Sequence, residues 1–180
     1  MNLKELTWEN HKNAERKQFA SLLMSGNISP ELYFKYLSNQ FLMYSVLEQK
    51  VDLDGLGISG IRRAPSILED MSELQRDHKL MYEENNHACS VTKDYIQYVA
   101  TKTSKELVPH IYVRHFGDMY GGAMIKKKVP GSGKMYEFEN KEELKEKTRA
   151  ILNDDMADEA NKCFEFAIRL FEELLPNDTK

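Results

Sequence analysis

The sequence is poor in glycine, proline and cysteine. Its 180 residues include 9 glycines, 5 prolines and 2 cysteines. So few glycines and prolines exclude a collagen-like or low-complexity chain and disfavour an all-β fold, which needs many turns. The two cysteines, Cys89 and Cys163, form neither a CxxC motif nor a disulfide framework, so we expect a reducing, cytoplasmic environment.

A positive net charge and a long apolar run are also missing. The formal charge of -4 differs from that of a typical nucleic-acid-binding protein, which is basic. No apolar run approaches the ~20 residues that a transmembrane helix needs. The charged start MNLKELTWENHK resembles neither a signal peptide nor a transit peptide. We therefore expect a soluble chain that forms one domain over residues 1–180, without a membrane anchor or a nucleic-acid partner.

Apolar residues recur at steps of three and four along most of the chain, which predicts an all-α fold of seven or eight helices. Ser29 followed by Pro30 predicts the start of a helix that should end near Val51. Two shorter helices are expected over 65–74 and 75–84.

The second half of the chain carries further helix signals. Thr103 and Glu106 predict a capping box at the start of a long helix that runs toward Lys128. Asn140 is expected to cap the following helix, and the last helix should start near Asp155.

Three glycines fall within six residues of a segment otherwise suited to a helix, at Gly117, Gly121 and Gly122. Each interior glycine costs about 0.8–1 kcal/mol relative to alanine. Because Gly117 and Gly121 are four residues apart and share a face, a flat or bulky group could lie directly on the backbone there. We also expect a kink at Gly121-Gly122. Close packing of two helices is the alternative explanation.

Charged residues accompany this bare face. Asp118 lies beside it, and Arg114, one turn earlier, can pair with Asp118. A carboxylate beside a bare groove needs a partner or water, which argues against simple helix packing. Elsewhere, His11 is followed one turn later by Glu15, a spacing at which the carboxylate can hold one ring nitrogen while the other binds a metal. A surface or core pair is the commoner explanation of that spacing.

Together these segments resemble the heme oxygenase family. The first, KELT over residues 4–7 followed by HKNAE over residues 11–15, resembles the proximal helix whose histidine binds the heme iron. The second, YVRHFGDMYGG over 112–122, is similar to the distal-helix signature, a Tyr-x-Arg-x-x-Gly-Asp run closed by a Gly-Gly pair. Residues 159–174 resemble the final core helix, so the likeness extends over nearly the whole chain. The resemblance implies a heme held between a proximal and a kinked distal helix.

The resemblance also implies roles for matching residues. His11 would be the axial iron ligand, oriented by Glu15, and Asp118 and Arg114 would belong to a distal water network. The other matching positions contact heme in the family: Gly117, Gly121 and Gly122 on the distal helix, Lys4, Tyr112, Lys145 and Arg149 at the propionates, and Phe164 in the core.

The implied reaction cleaves heme to biliverdin with release of CO and ferrous iron, and uses O2 and an external electron donor. Ferredoxin is the expected donor, docked by the lysines at 126–128, and a monomer is favoured. The sequence departs from the family pattern at His115, Tyr120 and Ala123, where an aromatic residue, a small residue and glutamine are common. These departures affect the distal network and not the iron ligand.

Three other functions would also account for some of these sequence features. A heme carrier of the same fold would share His11 and the glycines, and Asp118 is the residue that favours catalysis over carriage. A helical scaffold that binds a partner helix would need no iron ligand. A ferritin-like di-iron bundle would need two Glu-x-x-His pairs, and the chain offers one, Glu84 with His87, in a polar segment expected to be a solvated helix end.

Overall fold

The computed structural model describes residues 2–81 and 88–176, and within these ranges it contains ten α-helices and no strand. The predicted all-α fold is confirmed. Glu84 and His87 lie outside the described residues. In chain order the helices are α1 (Leu3–Leu6), α2 (Trp8–Glu15), α3 (Gln18–Ser25), α4 (Pro30–Lys50), α5 (Ala64–His78), α6 (Ser90–Ala100), α7 (Ser104–Ile111), α8 (Gly117–Lys126), α9 (Lys141–Ala150) and α10 (Ala157–Leu174).

The longest helix, α4, forms the centre of the core. Ser29 caps it by accepting a hydrogen bond from the Leu32 amide at 3.1 Å, and Pro30 is its first residue, as predicted. The helix packs against α5 and α6, while α10 packs against α2, α6 and α7. Both the start of the chain and the segment that follows α7 therefore pack against α10.

The long helix predicted after Thr103 is present as three consecutive helical pieces. The capping box forms, since the Glu106 amide donates to Thr103 Oγ1 at 3.2 Å and the Thr103 amide donates to Glu106 Oε1 at 3.1 Å. Then α7 continues through a π-helical turn at Tyr112–Phe116 into α8. Pro109 lies inside α7 and removes one backbone donor shortly before this turn. The irregularity thus precedes the glycines, and α8 is a continuous α-helix through Gly121-Gly122, where a kink stays a prediction.

One predicted helix boundary and one predicted capping hydrogen bond are wrong. The boundary predicted between residues 74 and 75 is absent, because α5 continues through it and ends where Lys79 adopts a left-handed φ of 53°. Residues 82–84 of the second predicted helix lie outside the described residues. Asn140 precedes α9 as predicted, but its own φ of 53° leaves its side chain without a capping hydrogen bond. No helix in the described ranges has both the length and the apolar character needed to cross a membrane.

Candidate active site

A cavity of about 520 Å³ is lined by residues from α1, α2, the π-helical turn, α8, α9 and α10. Its volume lies within the roughly 300–1,000 Å³ of small-molecule sites. Most lining side chains are aromatic, and two are cationic. The lining residues are Lys4, Trp8, His11, Tyr112, Val113, Phe116, Gly117, Tyr120, Arg149 and Phe164.

Six of these ten lining residues are predicted site residues, and four are not. The four are Trp8, Val113, Phe116 and Tyr120. Helical spacing could have found most of them, because Trp8 precedes His11 by three residues and Phe116 and Tyr120 continue the face of Tyr112 at steps of four.

The His11 side chain is held on several sides. Its Nε2 lies 2.7 Å from Glu15 Oε1, as the spacing of the two residues on α2 predicts. The Trp8 ring stacks on the imidazole at 5.4 Å with an interplanar angle of 14°, and the Phe164 ring meets it edge-on at 5.9 Å. A carboxylate that holds one imidazole nitrogen orients the other toward a metal ion. The position thus suits a metal ligand on the cavity wall.

The three glycines of α8 differ in their surroundings. A Cβ built on Gly117 or Gly121 would meet no other atom within 4 Å, so helix packing requires a glycine at neither position. A Cβ on Gly122 would lie 2.6 Å from Tyr136 Cδ1. Gly117 and Gly121 therefore form a bare strip of backbone, whereas Gly122 allows close packing against Tyr136 on another side of the helix. The alternative of helix packing explains Gly122 alone.

This difference predicts opposite effects of alanine on stability. Gly121→Ala is expected to stabilise the chain by about 0.5–1 kcal/mol, because alanine is the better helix former and the added methyl group has room. Gly122→Ala is expected to destabilise it, because Tyr136 must move. Urea unfolding of the two variants measures both effects. Destabilisation by both substitutions would show that Gly121 is also needed for packing.

Asp118 lies behind the bare strip and not on the cavity wall. Tyr44 Oη donates a hydrogen bond to Asp118 Oδ2 at 2.5 Å. Burial raises the pKa of Asp118 to about 7, although the Tyr44 hydrogen bond and the charges of Arg63 and Arg114 act in the opposite direction. Asp118 can therefore exchange a proton near neutral pH. The sequence did not single out Tyr44, since it falls in the apolar stripe of α4 and cannot be told from a core residue.

The predicted ion pair between Arg114 and Asp118 is wrong. The Arg114 guanidinium turns into the core, where it donates to Tyr95 Oη at 3.3 Å, Gln40 Oε1 at 3.4 Å and Met43 Sδ at 3.2 Å. Arg114 lies in the π-helical turn, which holds more residues per turn than an α-helix. Its hydrogen-bond partners Tyr95 and Gln40 belong to α6 and α4, so packing between helices, and not the four-residue spacing, decides where the guanidinium points.

A second polar pair is buried beside Tyr44. His115 Nε2 lies 2.6 Å from Glu48 Oε2, and both side chains are buried. Glu48 also accepts hydrogen bonds from the backbone amides of Arg63 and Ala64, at 2.6 and 3.1 Å. Burial lowers the pKa of His115, which favours the neutral ring. His115 thus faces α4 and not the cavity.

Exposed cations stand at the rim of the cavity. Lys4 and Arg149 line it, and Lys145 lies one turn before Arg149 on α9. Positive charge at a rim suits a ligand with carboxylate groups. Of the twelve predicted site residues, those that do not line the cavity are Glu15, Arg114, Asp118, Gly121, Gly122 and Lys145.

Comparisons with known proteins identify the family of the chain. The family model described as heme oxygenase matches residues 1–173. Heme oxygenase 2 of Mus musculus is 31% identical over 202 residues, which cover 96% of this chain and 64% of the mouse protein. The chain thus spans less than two thirds of the length of that relative. Heme oxygenase 1 of Synechocystis is 26% identical over 201 residues, covering 97% of this chain and 84% of the cyanobacterial one.

Solved structures give the same fold. The crystal structure of heme oxygenase-1 from Synechocystis in complex with heme matches with a TM-score of 0.82 and 25% identity, over 97% of this chain and 90% of the other. The heme oxygenase of Leptospira interrogans matches in fold, with a TM-score of 0.81 at 24% identity over 96% of this chain and 97% of the other. Since the family model extends over nearly the whole chain, the protein belongs to the heme oxygenase family.

Proposed function

We propose that the protein is a heme oxygenase, which uses O2 and electrons from an external donor to convert heme into biliverdin, CO and ferrous iron. The observation that carries the proposal is that one cavity combines a carboxylate-held imidazole, His11, with the bare backbone at Gly117. A flat macrocycle can lie against backbone that carries no side chain, and an imidazole on the same cavity wall can hold its iron.

The residues present fit heme as a bound substrate. His11 would ligate the iron, and Glu15 would orient the imidazole. Lys4 and Arg149, supported by Lys145, would bind the two propionates. The aromatic rings of the wall would cover the macrocycle and exclude water. Heme, when bound, supplies the redox-active iron and is itself the carbon skeleton that is oxidised.

Asp118 supports catalysis over simple carriage of heme. A carrier needs no group that exchanges protons, whereas reduction of O2 consumes them. The pKa of Asp118, raised by burial to about 7, lets its carboxyl group release and regain a proton near neutral pH. Tyr44 fixes the position of that carboxyl group through its hydrogen bond.

The proposal includes an acidic, ferredoxin-type electron donor that docks on the lysines at the end of α8. Lys127 and Lys128 are exposed there, and Lys126 pairs with Glu137. We also propose that the protein acts as a monomer in the cytoplasm, where its two buried cysteines, Cys89 and Cys163, would remain reduced.

Titration of the purified protein with hemin, followed by a reductant in air, tests this function. A saturable Soret band near one heme per chain is expected, followed by its loss as a broad red bilin band grows. Fluorescence provides a second binding signal, because Trp8 is the single tryptophan and lines the cavity. A Soret band that only reduces and reoxidises would indicate a carrier. Absence of any Soret band would contradict heme binding altogether.

A further inference from the structure

We propose that Tyr120 is a positioning residue that arranges the two cations of α9 for the carboxylates of the substrate and thereby sets how the substrate sits in the cavity. This inference rests on the proposed function. Tyr120 lies in the middle of α8, lines the cavity and is 52% exposed. A half-exposed aromatic side chain at a cavity rim is placed to contact both a ligand and the groups that bind it.

One phenol contacts both cations. Arg149 Nη2 donates a hydrogen bond to Tyr120 Oη. Lys145 Nζ lies 4.2 Å from the centre of the Tyr120 ring, within the range of a cation–π contact. Lys145 and Arg149 are four residues apart, so they lie on the same face of α9. The edge and the face of Tyr120 therefore hold the two cations side by side.

The phenol is itself held in place. Its ring packs on Phe116, the last residue of the π-helical turn, with centroids 4.7 Å apart. The Arg149 guanidinium carbon lies 5.8 Å from the Phe116 ring centre. The aromatic pair Phe116 and Tyr120 thus connects the π-helical turn and α8 with α9 across the rim of the cavity.

This arrangement leaves the cations able to bind an anion. A guanidinium group has five N–H donors, and Tyr120 uses one of them, so Arg149 retains donors for a carboxylate. Long cationic side chains lose conformational freedom when they bind, and side chains already ordered by a neighbour lose less. Lys145 Nζ also lies 3.3 Å from Glu142 Oε1, but that carboxylate is exposed, so the ion pair is weak and a carboxylate of the substrate can replace it.

The arrangement is also one-sided. Lys4, the other cation of the lining, lies 5.9 Å from the centre of the Trp8 ring on α2. Because Lys145 and Arg149 lie on one face of α9 and share the contact with Tyr120, the paired cations lie at one edge of the cavity. A substrate with two carboxylates on one edge is held in one preferred orientation by such a rim.

The test compares Tyr120→Phe and Tyr120→Ala with wild type, using hemin and hemin dimethyl ester as probes. Binding is measured by quenching of Trp8 fluorescence and by the Soret band. Wild type is expected to prefer hemin. Tyr120→Phe should weaken hemin binding by about threefold and Tyr120→Ala by about tenfold, while binding of the ester changes less than about twofold in Tyr120→Phe. Met124→Ala, an exposed position one turn further on α8, is the matched control and should leave both affinities unchanged.

A second readout follows the orientation of the substrate. Wild type is expected to form one main bilin isomer, and Tyr120→Ala to form a mixture.

Equal loss of affinity for hemin and its ester would show that Tyr120 only packs, and tighter hemin binding by Tyr120→Phe would show that it competes for Arg149. Either result would overturn this inference while the proposed function stands. If Tyr120→Ala fails to fold, Tyr120→Phe, which keeps the ring, decides the question. Failure of wild type to bind hemin would overturn both proposals.

Discussion

Substitution of His11 by alanine is expected to lower the rate of bilin formation by at least about 100-fold and to weaken hemin binding by about tenfold. Among the residues that line the cavity, His11 is the one imidazole. Its removal takes away the proposed axial ligand but leaves Trp8 and Phe164, so the apolar wall can still bind some hemin. Optical and paramagnetic resonance spectra of the ferric complex measure the loss of the nitrogen ligand directly.

Two controls separate ligation from damage to the fold. His78→Ala removes an exposed histidine at the end of α5, outside the cavity, and should leave spectrum and rate unchanged. Imidazole in the buffer is expected to restore part of the rate of His11→Ala, since the substitution leaves space for the free ring. If His11→Ala keeps the spectrum and rate of wild type, another side chain is the ligand.

The parts of the site that the sequence predicts are those that depend on one helix at a time. His11 and Glu15 belong to α2, and a four-residue spacing brings their side chains together in any regular α-helix. The start of α4 at Pro30 is equally local, because Ser29 caps the backbone three residues on. The resemblance to the family added residues from α1, α9 and α10 that periodicity could not have connected.

The parts that the sequence does not predict depend on how helices meet, or on a change of helical period. Tyr44 and Asp118 are 74 residues apart in the sequence. Their contact exists only because the fold places α4 beside the start of α8. The Arg114 guanidinium binds Tyr95 and Gln40, which lie on α6 and α4, so a rule that considers one helix alone gave the wrong partner. Gly121 and Gly122 are adjacent glycines that the sequence alone cannot distinguish. Only the position of the Tyr136 side chain shows that Gly122, and not Gly121, is needed for packing.

The second large effect is expected at Asp118. Asp118→Ala should lower bilin formation by about 100-fold or more, in the range of general acid–base catalysis, while hemin affinity stays within about twofold. The separation is expected because the carboxyl group contacts Tyr44 and does not line the cavity. Tyr44→Phe, which keeps the ring and removes only the hydrogen bond, should give an intermediate loss. Asp158→Asn, at an exposed position on α10, is the matched control.

The pH dependence of stability gives a test that needs no heme. Burial raises the pKa of Asp118 from its ordinary value of 3.8 to about 7, so between these values the folded chain holds this proton more tightly than the unfolded chain. The contribution of Asp118 to the free energy of unfolding therefore falls as the pH rises through this range and is constant above it. Asp118→Asn should remove that part of the slope, which urea unfolding at about pH 5 and about pH 7.5 measures.

The same carboxyl group should control the rate. If Asp118 donates its proton during turnover, bilin formation by wild type at saturating hemin should decline above about pH 7, and Asp118→Asn should lose this decline together with most of its rate. A decline that survives in Asp118→Asn would assign the proton to another group. Because one pH dependence is measured in the unfolding of the heme-free chain and the other in turnover, their joint disappearance in one variant would identify Asp118 as the source of both.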